Sequence, residues 1–398
     1  MTPLQSKLQV VLLATCQALS MTSMNIVMLT SALIGQMIAP TPALATLAVG
    51  LQMTATMAAT LPASLLMRRI GRRYGFMIGA AVGLLGALIS TLAIQNGDFL
   101  LFCVGALTMG VNGGFAQFYR FAAADAAEPD FRPTAISLVL SGGVVSGLFG
   151  PELAIWSRDL FQPYLFLGCY AGIAVMMAAA FLVLSQLRVP APSAAETAGP
   201  QRPLGEIMRQ PVFIVAAGGS MIAYGVMSLV MTATPLAMAS CGYDFGSAAH
   251  VIQWHVLGMF VPSFFTGQLI RRFGLLNIMT VGVAANLACL AINLHGVSTW
   301  HFWSALTLLG IGWNFMYVGG TTLLIEAYRP AEKAKVQGLN DFLVFGTAAF
   351  GSLSSGALAN LFGWSAVNWG VLGPMLLAGG LIFWLRARPA ARLTGQPS

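Results

Sequence analysis

The chain has 398 residues, of which 57% are hydrophobic and only 8% charged, with a formal net charge of +7. Soluble domains carry about a quarter charged residues, so the composition excludes a soluble globule and implies a chain that crosses a bilayer repeatedly. A span needs about 20 apolar residues, and helices are expected because each satisfies its own backbone hydrogen bonds in lipid. In chain order, spans are expected over residues 8–36, 43–67, 76–95, 100–123, 134–157 and 164–187. Six more follow over 211–239, 248–270, 278–295, 301–327, 339–361 and 365–385. The first run is too long for a cleavable signal, has only Lys7 as a preceding positive charge, and reads as the first span. Between the sixth and seventh spans, residues 188–210 have the Pro, Ala, Ser and charge content of a linker. The expected units are therefore a bundle over 1–187, a linker over 188–210 and a bundle over 211–398.

An even number of spans puts both termini on one side. With both in the cytoplasm, Arg158 is the only one of the 19 Lys and Arg residues that falls outside. That asymmetry satisfies the positive-inside rule. It also explains the basic charge without nucleic acid as a partner. The five cysteines show no ligand spacing, and four lie in apolar runs, where they are expected as small packing residues.

The two halves repeat a phrase. Residues 62–71 read Pro-Ala-Ser-Leu-Leu-Met-Arg-Arg-Ile-Gly and residues 265–274 read Phe-Thr-Gly-Gln-Leu-Ile-Arg-Arg-Phe-Gly, 203 positions apart. At the same offset Gln52 aligns with His255, and at 202 Gly110-Val111-Asn112 answers Gly312-Trp313-Asn314. Gly71 and Gly274 suit tight turns. Parallel repeats around a linker are the pattern of transporters whose substrate binds near the midplane, between the halves.

These motifs resemble the major facilitator superfamily, which carries a Gly-x-Leu-x-Asp-Arg-x-Gly-Arg-Arg motif after its second span and a degenerate copy after its eighth. Within it, residues 66–73 and the run Gly338-Leu339-Asn340-Asp341-Phe342-Leu343-Val344 resemble a bacterial group associated with riboflavin transport. The resemblance implies an all-α membrane protein of twelve transmembrane helices in two pseudo-symmetric six-helix bundles, in a bacterial inner membrane. The motif's carboxylate position is Arg68 here. An arginine cannot accept the hydrogen bonds that the family's acid accepts. A cytoplasmic gate of reversed polarity is therefore expected, in which Arg68 or Arg69, with Arg271 and Arg272 as their counterparts, engages Asp341 or Asp130. The plainer alternative is that these arginines anchor to lipid.

Glu152 follows Gly150-Pro151 inside an apolar run, and intramembrane acids often mark proton pathways. Glu152 and His255 are the proton-coupling candidates; a solvated acid near the outer interface and a structural histidine are the alternatives. The run Gly143 to Pro151 partly resembles an antiporter motif but has two residues, not three, between its last two glycines, and helix packing through small residues explains it as well. Substrate-binding candidates are the polar and aromatic groups of several spans: Gln17 and Asn25, which share a helical face; Asn112, Gln117 and Tyr119; Tyr224; Trp254 and His255; and Trp313, Asn314 and Tyr317. Rings for stacking and amides for edge recognition suit a neutral, planar molecule; helix–helix contact is the competing explanation for each residue alone.

No Gly-rich phosphate loop, metal-ligand spacing or nucleophile arrangement is present in the sequence. An enzyme, a metal and a cofactor are not expected. The expected activity is secondary transport by alternating access, with uptake of a small planar nutrient such as riboflavin. Proton-driven efflux of drugs or metabolites and a non-transporting membrane sensor are the alternatives. The expected partners are the substrate, the bilayer and, if transport is coupled, protons, with the chain acting as a monomer.

Overall fold

The computed structural model describes residues 3–128, 131–188 and 201–388, and the described residues are helical with no strand. In chain order the amino-terminal half contains α1 (Pro3–Ile38), a 3₁₀ turn (Pro42–Leu44), α2 (Leu47–Ile70), α3 (Arg72–Asn96), α4 (Phe99–Ala116), α5 (Tyr119–Ala126), α6 (Arg132–Leu140), α7 (Gly142–Ser157) and α8 (Leu167–Leu184). The short α9 (Leu204–Met208) leads into α10 (Pro211–Ser240), α11 (Phe245–Phe260), α12 (Ser263–Phe273), α13 (Leu275–His295), α14 (Thr299–Leu324) and α15 (Lys333–Arg386).

Ten helical stretches among the described residues are long and apolar enough to cross a membrane. Two features reconcile that number with twelve spans. Helix α15 runs for 54 residues but breaks at Gly363, where φ is 79°. At 1.5 Å per residue it would extend about 80 Å, far more than a bilayer's hydrocarbon core of about 30 Å, so its two limbs are two passes. The eighth span is interrupted at Val261 and Pro262, which leaves α11 and α12 too short to qualify singly.

The repeated phrase ends two helices in the same way. Gly71 caps α2 with φ 87° and ψ 156°, and Gly274 caps α12 with φ 88° and ψ 145°. Each donates its N–H to the carbonyl four residues back, at 3.0 and 2.9 Å. A Cβ on Gly71 would meet nothing within 4 Å, so the glycine is required by backbone conformation and not by space. Both basic turns lie at one end of the molecule, called the basic end below.

Helix crossings repeat as well. Cβ atoms built on Gly86 and Gly105 would each strike the other residue's carbonyl, which brings α3 onto α4; Gly282 and Gly312 do the same for α13 and α14. Within each half, backbones meet where side chains are smallest, as expected for helices that gain no hydrophobic advantage from leaving lipid.

The halves meet along α2 with the first limb of α15, α7 with α11, and α1 with α10. Most of the named contacts lie away from the basic end. Asn360 donates to the Pro42 carbonyl at 2.9 Å and the Gly356 N–H to Thr46 Oγ1 at 3.1 Å. The rings of Phe166 and Phe245 meet edge to face at 5.2 Å, with the Arg158 guanidinium over both at 5.8 and 5.5 Å. Toward the basic end, α5 and α6 pack on α1, whereas α12 packs on α13 and α14.

The described part of the linker is fastened at each end. The Arg188 N–H donates to Gln9 Oε1 at 2.6 Å. Arg202 holds Glu332 bidentately, Nε to Oε1 at 2.9 Å and Nη2 to Oε2 at 2.6 Å, and donates to the Ala327 carbonyl at 3.1 Å. These bonds from Arg202, with the Arg329 N–H, hold the Glu332 carboxyl far below the usual carboxylate range, so it stays ionised throughout physiological pH. Its stabilising contribution is lost only as pH falls through that depressed value.

The matched turns make a test. Their φ and ψ lie in a region that is essentially glycine-only and costs other residues about 1–3 kcal/mol. Gly71→Ala and Gly274→Ala are each expected to destabilise the purified protein by that amount in reversible denaturation. Gly267→Ala, in the helix of the second phrase with open space at its Cβ, is expected to be neutral or slightly stabilising.

Candidate functional site

The sequence candidates separate into those that hold each half together and those that gather at the seam. Gln17 and Asn25 do share a face of α1, and that face packs on α7. Asn25 Nδ2 donates to Ser146 Oγ, and the Gln17 stem lies against Gly142. Asn112 fills the space beside Gly83 of α3 and donates to Met177 Sδ of α8 at 3.5 Å. Tyr119 is fully buried against Phe76, rings 4.8 Å apart. Gln117 caps α4 and is half-buried.

In the other half, Asn314 is fully buried and mends the interrupted span. It donates Nδ2 to the Met259 carbonyl at 2.7 Å and to Ser263 Oγ at 2.6 Å, and accepts from Thr266 Oγ1 at 2.7 Å. His255 is also fully buried, its Nδ1 at 2.8 Å from the Leu306 carbonyl in the α11–α14 contact. The alignment of Gln52 with His255 has a geometric counterpart. A Cβ on Gly110 would strike the Gln52 carbonyl, and one on Gly310 the His255 carbonyl. The two residues occupy equivalent seats, at crossings within their halves. Trp254 is 44% exposed and meets Trp303 at 5.3 Å, which in turn stacks on the exposed Trp300. These three form an aromatic cluster on the flank of the bundle.

Tyr224, Trp313 and Tyr317 come together. Trp313 and Tyr317, one turn apart on α14, stack at 4.9 Å with their planes 19° apart. Tyr224 of α10 sets its ring edge to face against both at 5.3 Å, and meets Phe345 of α15 at 5.6 Å. Phe260 of α11 closes on Trp313 at 6.0 Å. Four helices of the carboxy-terminal half thus build one aromatic cage.

The amino-terminal half brings a charge to this cage. Arg120 of α5 faces Asp341 of α15, with Nη2 at 3.9 Å from Oδ2. Both side chains are mostly buried, and the Tyr317 and Tyr224 phenols lie in the electrostatic reach of the guanidinium. At 3.9 Å the pair is an ion pair without a hydrogen bond. Asp341 accepts at 3.3 Å from Asn340 Nδ2. Among the described residues, Arg120 Nε and Trp313 Nε1 have no hydrogen-bond partner. Buried donors without acceptors are uncommon, and here two of them border the same cage.

The arginines expected at the gate are arranged differently. Arg68, Arg69, Arg271 and Arg272 are exposed on the last turns of α2 and α12, while Asp341 faces Arg120. It is Arg72, at the start of α3, that pairs with an acid, Asp125 of α5. Asp130 lies outside the described residues. Glu152 approaches His250 Nε2 across the α7–α11 contact at 3.6 Å, both side chains more than half exposed.

Sequence reading missed Arg120, Phe260 and Phe345. Arg120 had a signal, because a cation within an apolar segment is costly enough to need a reason. Phe345 had one too, one helical turn beyond Asp341 and hence on its face.

A family model described as the Major Facilitator Superfamily matches residues 13–346 and 219–398. The riboflavin transporter RfnT of Brucella anthropi is 42% identical over 364 residues, 90% of this chain and 91% of that protein. The uncharacterized MFS-type transporter YdeG of Bacillus subtilis is 31% identical over 76% of this chain and 74% of its own. Among solved structures, the nucleoside transporter NupG aligns with a TM-score of 0.70 at 14% identity, over 94% of this chain and 99% of that one. The human organic anion transporter MFSD10 aligns at 0.68 and 14% identity, over 95% and 99%. At such identities these two show a shared fold.

Direct pairing across the seam predicts energetic coupling. Arg120→Ala and Asp341→Ala are expected to interact by about 0.5–3 kcal/mol in a double-mutant cycle read by reversible denaturation. The corresponding cycle between Arg68 and Asp341 is expected to be additive.

Proposed function

The chain belongs to the major facilitator superfamily, and from that premise we propose that it takes up riboflavin by alternating access, using the aromatic cage at the seam. The observation that carries the reading is the cage itself: a parallel Trp313–Tyr317 pair walled by Tyr224 and Phe345, with Arg120 and Asp341 at its border. A flat heteroaromatic ring gains most from such surfaces, and polar groups at the border fix its orientation. The identity to a riboflavin transporter along nearly the whole chain supports the same substrate.

The proposal sets the chain as a monomer in a bacterial inner membrane, with both termini and the basic end in the cytoplasm and the halves dividing at the linker 188–210. In that orientation the contacts through Thr46, Asn360, Phe166 and Phe245 close the outer side. Uptake then requires those contacts to open and the Arg120–Asp341 pair to act at the inner side of the substrate. Halves made rigid by their own glycine crossings rock about the site.

Glu152 is the coupling candidate in this scheme. It faces His250 between the halves on the outer side, so a change of charge on Glu152 alters the attraction across a contact that must part. His255, sealed from solvent and bound to a backbone carbonyl, has a packing role.

Expression of the chain in a riboflavin auxotroph is expected to restore growth at low vitamin concentration and to confer labelled riboflavin uptake. Loss of one stacking surface costs about 1–3 kcal/mol in comparable base–aromatic contacts. Trp313→Ala is therefore expected to weaken uptake by about tenfold or more at limiting substrate. A well-expressed chain that neither rescues growth nor carries riboflavin would overturn the vitamin reading in favour of efflux. Glu152→Gln is expected to flatten the dependence of uptake on external pH; an unchanged profile would remove Glu152 from coupling.

A further inference from the structure

Resting on the riboflavin reading, we propose that Trp313, Arg120 and Asp341 read the imide edge of the flavin ring, and that this edge takes the place of the direct ion pair between the halves. The pyrimidine end of an isoalloxazine presents carbonyl, N–H and carbonyl in a row. Its complement is donor, acceptor, donor. Two donors and an acceptor are available among the residues of the cage and its border. Trp313 Nε1 and Arg120 Nε are buried donors without partners among the described residues, indole and guanidinium groups being donors only. Asp341 is the acceptor, and an ionised carboxylate has more capacity than the single 3.3 Å bond from Asn340 uses.

The geometry of the ion pair fits this role. At 3.9 Å, Arg120 and Asp341 attract each other but share no hydrogen bond. Each can turn to a ligand without breaking a hydrogen bond to the other. The stacked Trp313 and Tyr317 rings border the same place, since Tyr317 reaches the Arg120 guanidinium. A ring lying on this aromatic surface brings its edge toward both charges. Arg120 comes from one half and Asp341 and Trp313 from the other, so a bound edge ties the halves through itself.

Recognition of this kind selects sharply. A site built to bond a substrate N–H rejects an analogue that lacks it, because the buried acceptor is left unpaired. Methylation at N3 of riboflavin removes the central donor while leaving the ring system for stacking. Hydrogen bonds to charged groups contribute enough to change affinity by about 10- to 100-fold.

The test is competition of unlabelled 3-methylriboflavin against labelled riboflavin uptake, with binding to the purified full-length protein followed by quenching of flavin fluorescence. In the unaltered protein the methylated compound is expected to compete at least tenfold more weakly than riboflavin. In Asp341→Ala, which removes the acceptor, the two compounds are expected to converge, because riboflavin weakens toward the methylated level. Asp341→Glu is expected to recover part of the preference. Equal competition in the unaltered protein overturns the inference while leaving riboflavin transport standing. Riboflavin preference fully retained in Asp341→Ala also overturns it. Absence of both riboflavin uptake and riboflavin binding overturns the vitamin reading, and this inference falls with it. Because the first comparison uses no variant, the test does not depend on Asp341→Ala folding.

Discussion

Close backbone approach at glycine is the constraint on which the rest of this molecule depends. In lipid, an apolar side chain is as well solvated outside a bundle as inside it, so helices associate through packing and not by escape from solvent. Gly86 against Gly105 and Gly282 against Gly312 bring backbones into contact in both halves. Gly110 on the Gln52 carbonyl and Gly310 on that of His255 add a second pair of crossings. Each crossing leaves no room for a β-carbon. The polar groups of the spans then serve these crossings, Asn112 beside Gly83 and Asn286 beside Gly312. Where the halves meet beside the aromatic cage, Arg120 Nε and Trp313 Nε1 are buried donors without partners among the described residues.

That division explains what could be read from sequence and what could not. Twelve spans and the duplicated turns were legible because hydropathy and backbone conformation are local properties. The correspondence of Gln52 with His255 was legible from the repeat and has a geometric match. The direction in which a polar residue points was not. Gln17 and Asn25 do lie on one face of α1, but periodicity gives the face and not its neighbour, and that neighbour is α7. Tyr224, Trp313 and Tyr317 carry the same kind of spacing and converge at the seam. Sequence offers nothing to separate the two cases, because both are polar or aromatic residues one turn apart in an apolar helix.

The charges show a related lesson. Reversal of the motif's acid to Arg68 suggested that its partner was to be sought on Asp341. Asp341 instead faces Arg120, and Asp125 takes Arg72. Charged groups left exposed at helix ends, such as Arg68 and Arg69, satisfy topology without needing an acid. Those drawn into the apolar part of the bundle need one, because desolvation must be offset by a nearby opposite charge. Burial of the side chain, more than membership of the motif, distinguishes Arg72 and Arg120, which face acids, from the exposed Arg68 and Arg69.

The equivalent seats of Gln52 and His255 separate what a helix crossing requires from what its side chain supplies. One crossing is built with an amide and its counterpart with an imidazole, and in both the contact that matters is the residue's own carbonyl against a glycine. The amide carries no exchangeable charge, yet its helix crosses its neighbour in the same manner. Basicity is therefore surplus to the architecture of that seat. Glu152 and His250, by contrast, face each other across the contact between the halves, where a change of charge acts on the attraction between two bodies and not on the internal fit of one.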